Sequence, residues 1–284
     1  MRLQVTDNSL FLQRPITGST RFGGLLGRGI GHSLSPFIHN TAASLLGLDL
    51  VYLSFDFAAA PGAEFFQTLL HSNCYGFNVT VPYKELVGQV LGDHSLVSCN
   101  TLIPRGDRWT MASTDAEGFL EGLKDIDCEL SDFSAVICLG HGGAAKALID
   151  CFIQKAPELP IFILKRGSHG EGSERAFEPQ VLTQLILEYP KALVIQCTSA
   201  PLKGDDLSIF CPSIKGLKGA FIDLVYGKPS ALLQEAKNLG IPSQDGRPML
   251  LSQALLSQKL WWGQSADFSV MKAAMATHLA TYRV

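Results

Sequence analysis

Between Gly76 and Glu85 the chain reads GFNVTVPYKE, which puts Lys84 directly after a short strand and a proline-locked turn. A lysine held that way is a candidate for taking up and returning a proton, the task of a general acid–base group. Ser33, Ser35, His39 and Asn40 lie upstream of it, and Asn100 and Asp115 follow. Asp115 could orient the lysine and hydrogen-bond a reacting group, although a nearby carboxylate also tends to hold a lysine in its charged form. The same two residues would also serve as a salt bridge at a helix start. Ser33 and Ser35 flank Leu34, so in an extended segment both hydroxyls point to one side and could bind a carboxylate together. Ser35 before Pro36 fits a helix N-cap equally well. His39 and Asn40 fall near the end of a first helical turn, where structural hydrogen bonding is the expected role rather than metal ligation.

A second constellation begins at Leu139, in LGHGGAAKA. Gly140, Gly142 and Gly143 stand between a strand and a helix, where missing side chains let backbone N–H groups approach a pyrophosphate. The spacing is GxGG, which also fits an ordinary tight strand-to-helix turn. The end of the next strand bears on the choice. NAD sites commonly carry an acidic residue there for the ribose 2′-hydroxyl, whereas here Leu164 is followed by Lys165 and Arg166, which favours a 2′-phosphate and hence NADP. Without the glycine turn these cations would read as an exposed basic loop. His141 reads as a solvated side chain of the turn.

The elements that must position these residues alternate. Expected strands are Phe22–Leu26, Leu50–Phe55 and Gly76–Val79, and expected helices Pro36–Leu46, Gly62–Leu70 and Tyr83–Leu91. Cys99–Pro104 and Trp109–Ser113 form an expected hairpin around Arg105-Gly106-Asp107-Arg108. Asp115 opens a helix over Ala116–Lys124. A βαβ unit follows, with strand Ala135–Leu139, helix Ala144–Gln154 and strand Ile161–Leu164. Strands Ala192–Gln196 and Ala220–Leu224 extend its sheet, and Gly167–Glu174 is an expected loop. The tail, Met249–Trp262 and Phe268–Tyr282, has amphipathic helical spacing. Residues Met1–Thr20 read as an extension or edge strand. This alternation indicates an α/β fold.

The 284 residues suffice for two domains, and 46% hydrophobic with 17% charged residues describes a globular chain with ample core. A net charge of −3 argues against nucleic acid or an anionic membrane as partner and for a small molecule. Seven cysteines without a CxxC pair suggest reduced, mostly buried thiols and hence a cytoplasmic location. Neither a secretory signal nor an apolar run of about 18 residues is present, so no membrane span is expected.

The stretches HSLSPFIHN, GFNVTVPYKE, CNTL (Cys99–Leu102), STDAEGF (Ser113–Phe119), LGHGGAAKA, the Lys165-Arg166 strand end, DLVYGKP (Asp223–Pro229) and GRPMLLSQA (Gly246–Ala254) occur together and in this order. In this combination the sequence resembles the shikimate dehydrogenase family, from Gly27 onward. The resemblance implies a substrate-binding domain over residues 1–114, completed by 248–284, and an NADP-binding Rossmann domain with a parallel sheet over residues 115–247. It implies that Ser33 and Ser35 bind the substrate carboxylate, and that Thr80, Asn100 and Gln253 bind its hydroxyls, with Tyr226 bordering the pocket. Lys84 with Asp115 would act at the reacting C–O group. Gly140, Gly142, Gly143 and Ala144 would form the pyrophosphate turn, Lys165 and Arg166 would meet the 2′-phosphate, and Thr198 would lie in the region beside the nicotinamide. No metal is implied, and a monomer or homodimer is expected. The implied reaction is the NADP-dependent interconversion of 3-dehydroshikimate and shikimate. Quinate or amino-shikimate dehydrogenation, and a non-catalytic NADP-binding regulator, are the alternatives; a folate-pathway dehydrogenase is more distant, since the paired serines and Gln253 do not favour it. The chain departs from the family at Gly29, where proline is frequent, at Ser113 and Lys165, where asparagine is usual, in a shorter Lys84–Asn100 segment, in the missing glycine-methionine pair after Thr198-Ser199, and in an abbreviated segment after Tyr226.

Overall fold

A computed structural model describes residues 15–93, 98–165, 174–176, 179–198, 200, 213–227 and 229–281. The chain forms two compact units. One takes in the residues up to Thr114 together with those from Leu251 onward, and the other is Asp115–Leu250.

The first unit is built on a five-stranded sheet. Its strands are β1 (Arg21–Gly27), β2 (Leu50–Asp56), β3 (Cys74–Val79), β4 (Thr101–Arg105) and β5 (Arg108–Ala112), in the order β2-β1-β3-β4-β5. β1 runs parallel to β2 and β3, with helices α1 (Ser35–Leu45) and α2 (Ala63–Leu70) between the strands, and β4 and β5 join antiparallel. β3 is buried at every position, as a central strand covered on both faces must be. Its exit leads through Thr80 and a cis Val81–Pro82 bond to the short helix α3 (Val87–Leu91). The helix expected over Tyr83–Leu91 is thus only its last part. Tyr83 and Leu86 close three-residue turns onto Thr80 and Tyr83, and the first helical bond comes from Val87 N–H to the Tyr83 carbonyl.

The second unit is a six-stranded, wholly parallel sheet. Its strands are β6 (Val136–Leu139), β7 (Ile161–Lys165), β8 (Glu174–Ala176), β9 (Leu193–Gln196), β10 (Ala220–Asp223) and β11 (Ser243–Gln244), in the order β11-β10-β9-β6-β7-β8. Helices α4 (Asp115–Leu123), α5 (Gly143–Lys155), α6 (Pro179–Glu188) and α7 (Ala231–Asn238) accompany it. Alternate strand residues feed two cores. Ile137, Leu139, Val194 and Phe221 pack with α6 and α7, while Val136, Cys138, Ile195 and Ile222 pack with α4 and α5. β6 lies between β7 and β9, so the strand order reverses there, the switch point at which doubly wound sheets bind ligands. The helices α6 and α7 and the strands β8 and β11 were not expected from the sequence pattern. The loop expected over Gly167–Glu174 falls outside the described residues, except that Glu174 opens β8.

Two helices close the chain, α8 (Arg247–Trp262) and α9 (Phe268–Thr281). The spacing of α8 suggested one apolar face, but Ser252, Gln253, Ser257 and Gln258 are buried along with Leu251, Ala254 and Leu255. Polar side chains therefore line an interior face, each needing a partner there. Among the described residues, no helix is long and apolar enough to cross a membrane.

Candidate active site

In the first unit, Ser33 and Ser35 stand at the mouth of α1. Leu34 between them is in the helical region, with φ −80° and ψ −7°, so the segment is turned rather than extended. Ser35 is the first helical residue rather than the N-cap, and no side chain caps the helix. The hydroxyls meet all the same: Ser33 Oγ donates to Ser35 Oγ at 3.2 Å and accepts the Ser35 N–H at 3.2 Å. Asn40 has the structural role expected of it, since its amide bonds both the N–H and the carbonyl of Tyr52 at 2.8 and 2.9 Å. Thr80 follows β3, with its N–H on the Leu26 carbonyl at 2.9 Å. Lys84 is half-buried in the next turn, and its carbonyl accepts the Cys99 N–H at 3.0 Å, tying the lysine's backbone to the approach of β4.

Asn100 and Gln253 come together in a buried polar network. Asn100 Oδ1 accepts the Thr114 N–H at 2.8 Å, while its Nδ2 donates to Thr114 Oγ1 at 3.0 Å and to Gln253 Oε1 at 3.3 Å. Behind them, Asn78 Nδ2 donates to the Asn100 carbonyl, Thr101 Oγ1 and Ser257 Oγ at 3.0 to 3.1 Å, and Tyr52 OH donates to Asn78 Oδ1 at 2.8 Å. These bonds fix which end of each amide faces inward. The sequence reading did not single out Asn78, Thr101, Thr114 or Ser257. Two signals were there: Asn78 is a polar residue inside the apolar run of β3, and Ser257 lies one helical turn beyond Gln253 on the same face.

His39 lies beside this network, fully buried and stacked on Tyr52 with ring centroids 4.3 Å apart. Burial pushes its imidazole down to about 3, against an opposing hydrogen bond from Asn78, so it is neutral near pH 7. Among the described residues, no three His, Cys, Asp or Glu side chains are placed to hold an ion.

In the second unit the glycine turn has the form a pyrophosphate needs. Gly140 has φ +107°, and a Cβ there would stand 2.6 Å from Thr198 Cγ2, so the backbone comes close to Thr198 only because the side chain is absent. Gly142 caps α5 with no side-chain hydrogen bond, and a Cβ there would meet nothing within 4 Å. The first helical bond goes from Lys146 N–H to the Gly142 carbonyl, which leaves the N–H groups of Gly143, Ala144 and Ala145 without helical acceptors, and no acidic residue sits in the first turn. These residues fit a dinucleotide phosphate. Thr198 follows β9 in a clamp, its N–H on Gln196 Oε1 and its carbonyl accepting Gln196 Nε2 at 2.9 Å. Gln196 Nε2 also reaches Asp223 Oδ1, which accepts the N–H of Val225 just before the half-buried Tyr226. Burial raises the Asp223 carboxyl above the usual range. Lys165 ends β7, and Arg166 lies outside the described residues. Asp115 is buried at the start of α4, in the second unit, whereas Lys84 belongs to the first.

Known proteins resemble this chain over nearly its whole length. Residues 25–97 match the family model described as the shikimate dehydrogenase substrate binding domain. A shikimate dehydrogenase (NADP(+)) from Thermosynechococcus vestitus is 32% identical, over 94% of this chain and 98% of that protein. Among solved structures, the shikimate dehydrogenase of Aquifex aeolicus superposes with a TM-score of 0.79 at 27% identity, covering 92% of this chain and 99% of its own. That of Thermus thermophilus, in complex with NADP(H) and shikimate, has a TM-score of 0.70 at 27% identity over 90% and 99%. At 32% identity, with near-complete coverage in both directions, this chain belongs to the shikimate dehydrogenase family.

Proposed function

We propose that this chain is an NADP-dependent shikimate dehydrogenase that reversibly reduces 3-dehydroshikimate to shikimate. The observation that carries the reading is the buried set Asn100, Thr114 and Gln253, whose amides are held in fixed orientation in a dry setting. Such groups recognise substrate hydroxyls and disfavour analogues that leave them unpaired. Thr80 joins Asn100 and Gln253 in this role, Tyr226 borders the pocket, and the paired hydroxyls of Ser33 and Ser35 take the carboxylate. Gly140, Gly142, Gly143 and Ala144 receive the pyrophosphate, Lys165 and Arg166 the 2′-phosphate, and Thr198 lies beside the nicotinamide. Bound NADPH supplies the hydride.

Reduction of the ketone leaves an oxygen that must gain a proton, and oxidation of the alcohol must remove one. Lys84 gives up that proton in the reducing direction and takes it back in the other, with Asp115 orienting the exchange. Among the described residues no two cysteines form a disulfide, which supports a reducing compartment, the cytoplasm, for this monomer or homodimer. NADPH formation is to be followed with shikimate or quinate, each with NADP⁺ or NAD⁺. Shikimate with NADP⁺ is the expected preferred pair. Lys84→Ala is expected to lower kcat by about 10²- to 10⁴-fold, with shikimate binding retained in calorimetry. A preference for quinate, or NADP⁺ binding without any turnover, would replace this reading with one of its alternatives.

A further inference from the structure

We infer that Asp56 is a positioning residue for the substrate carboxylate, acting through Ser33. The inference rests on the assignment of Ser33 and Ser35 to that carboxylate. β1 and β2 end side by side, with Gly27 opposite Asp56. From Gly27 the chain has seven residues in which to reach α1, and the segment is held at successive peptides. Arg28 N–H bonds the Val81 carbonyl at 3.2 Å. Gly29 N–H then donates to Asp56 Oδ1 at 2.8 Å and Ile30 N–H to Asp56 Oδ2 at 3.2 Å, so each carboxylate oxygen takes one of two consecutive donors.

Gly29 makes the pairing possible. Its φ of +67° turns the chain so that neighbouring N–H groups converge on one anion, a nest that proline, with its fixed negative φ and missing N–H, could not form. From Asp56 to the serines the path is short. The Ile30 peptide that donates to Asp56 is followed by the Ile30 carbonyl, which accepts the Ser33 N–H at 3.0 Å, and Ser33 Oγ accepts the Ser35 N–H in turn. Ile30 and Leu34 are buried, 4% and 2% exposed, so the segment is pinned by its side chains as well as by the carboxylate. The Asp56 charge also fills a nest that would otherwise compete with the serines for the substrate carboxylate.

Steady-state kinetics of Asp56→Ala, Asp56→Asn, Ser33→Ala and the Asp56→Ala/Ser33→Ala pair test this, with thermal midpoints recorded alongside. Asp56→Ala is expected to raise KM for shikimate about tenfold while kcat and KM for NADP⁺ stay within about twofold, the loss of charge-assisted bonds at one segment. Asp56→Asn keeps one acceptor and is expected to fall between, so it carries the test should the alanine variant not fold. The double variant is expected to fall short of the product of the single effects, because both act on one arrangement. An unchanged shikimate KM in Asp56→Ala, an equal rise in both KM values, or fully multiplicative effects would overturn the inference. Absence of shikimate turnover in the unaltered protein would remove the functional reading and this inference with it, whereas normal turnover with an unaffected variant removes this inference alone.

Discussion

Thr114 shows how much of the candidate site can depend on one hydroxyl. Its Oγ1 lies 3.0 Å from Asn100 Nδ2, 3.3 Å from Ser257 Oγ and 3.4 Å from Gln253 Oε1, all of them buried. Thr114→Val keeps the shape and removes the hydroxyl, taking one bond each from Asn100 Nδ2, Ser257 Oγ and Gln253 Oε1 where water cannot reach to replace it. Urea unfolding followed by tryptophan fluorescence is expected to show a loss of about 1–3 kcal/mol, with shikimate KM raised, and Thr114→Ser is expected to recover most of both. An unchanged midpoint in the valine variant would mean that the network tolerates the gap. At this scale the sequence offers as candidates the residues whose types stand out in recognisable stretches: Ser33, Ser35, Lys84, Asn100 and Gln253. It did not disclose Thr114, Asn78 or Ser257 as their supports, because a buried polar residue looks like any other until its neighbours across the fold are known. The conformation of Leu34 was hidden for a related reason, since two serines around one residue meet in a turn as readily as in an extended strand.

Elements were legible where one period dominated. β3, the hairpin of β4 and β5, and the β6–α5–β7 unit all follow apolar runs bounded by turn residues. α3 is shorter than its pattern because apolar spacing continues through Tyr83–Leu86 while the backbone there closes short turns. α8 is helical as its spacing predicts, but its buried Ser252, Gln253, Ser257 and Gln258 leave it without the single apolar face that spacing suggests. The start of α5 gives a pair of contrasting predictions. Gly140→Ala forces a side chain into a φ of +107° and against Thr198, so a loss of about 1–3 kcal/mol is expected, with a raised KM for NADP⁺ and an unchanged KM for shikimate. Gly142 has φ −81° and open space around it, so Gly142→Ala is expected to leave the fold's stability within about 0.5 kcal/mol. Weaker NADP⁺ binding in Gly142→Ala, measured by calorimetry, would then report the bound phosphate rather than the fold; equal destabilisation of the two variants would contradict this contrast.

At the scale of the whole molecule, all three tryptophans, Trp109, Trp261 and Trp262, belong to the first unit. Their fluorescence follows the unit that contains His39, whose ring is stacked on Tyr52 and faces Trp261, Trp262, Gln258 and Asn78, with no carboxylate among these neighbours. The imidazole titrates at about 3 in the folded chain against 6.5 when exposed, so the unfolded state binds the proton first as the pH falls. Stability from this group is therefore present above pH 6.5 and declines as the pH drops toward 3, by about 1.4 kcal/mol per pH unit within that window. Asp223, in the other unit, has the opposite sign: its raised carboxyl favours the folded state at low pH and loses that contribution as the pH rises through its folded value. His39→Gln keeps a polar side chain and cannot titrate. It is expected to be less stable at pH 7, through lost stacking, yet to show a flatter fluorescence-detected stability profile between pH 6 and 4 than the unaltered chain. A residual slope remains from His278, whose imidazole is also lowered by burial. Parallel profiles for the two proteins would show that His39 is not the group through which acid opens the first unit.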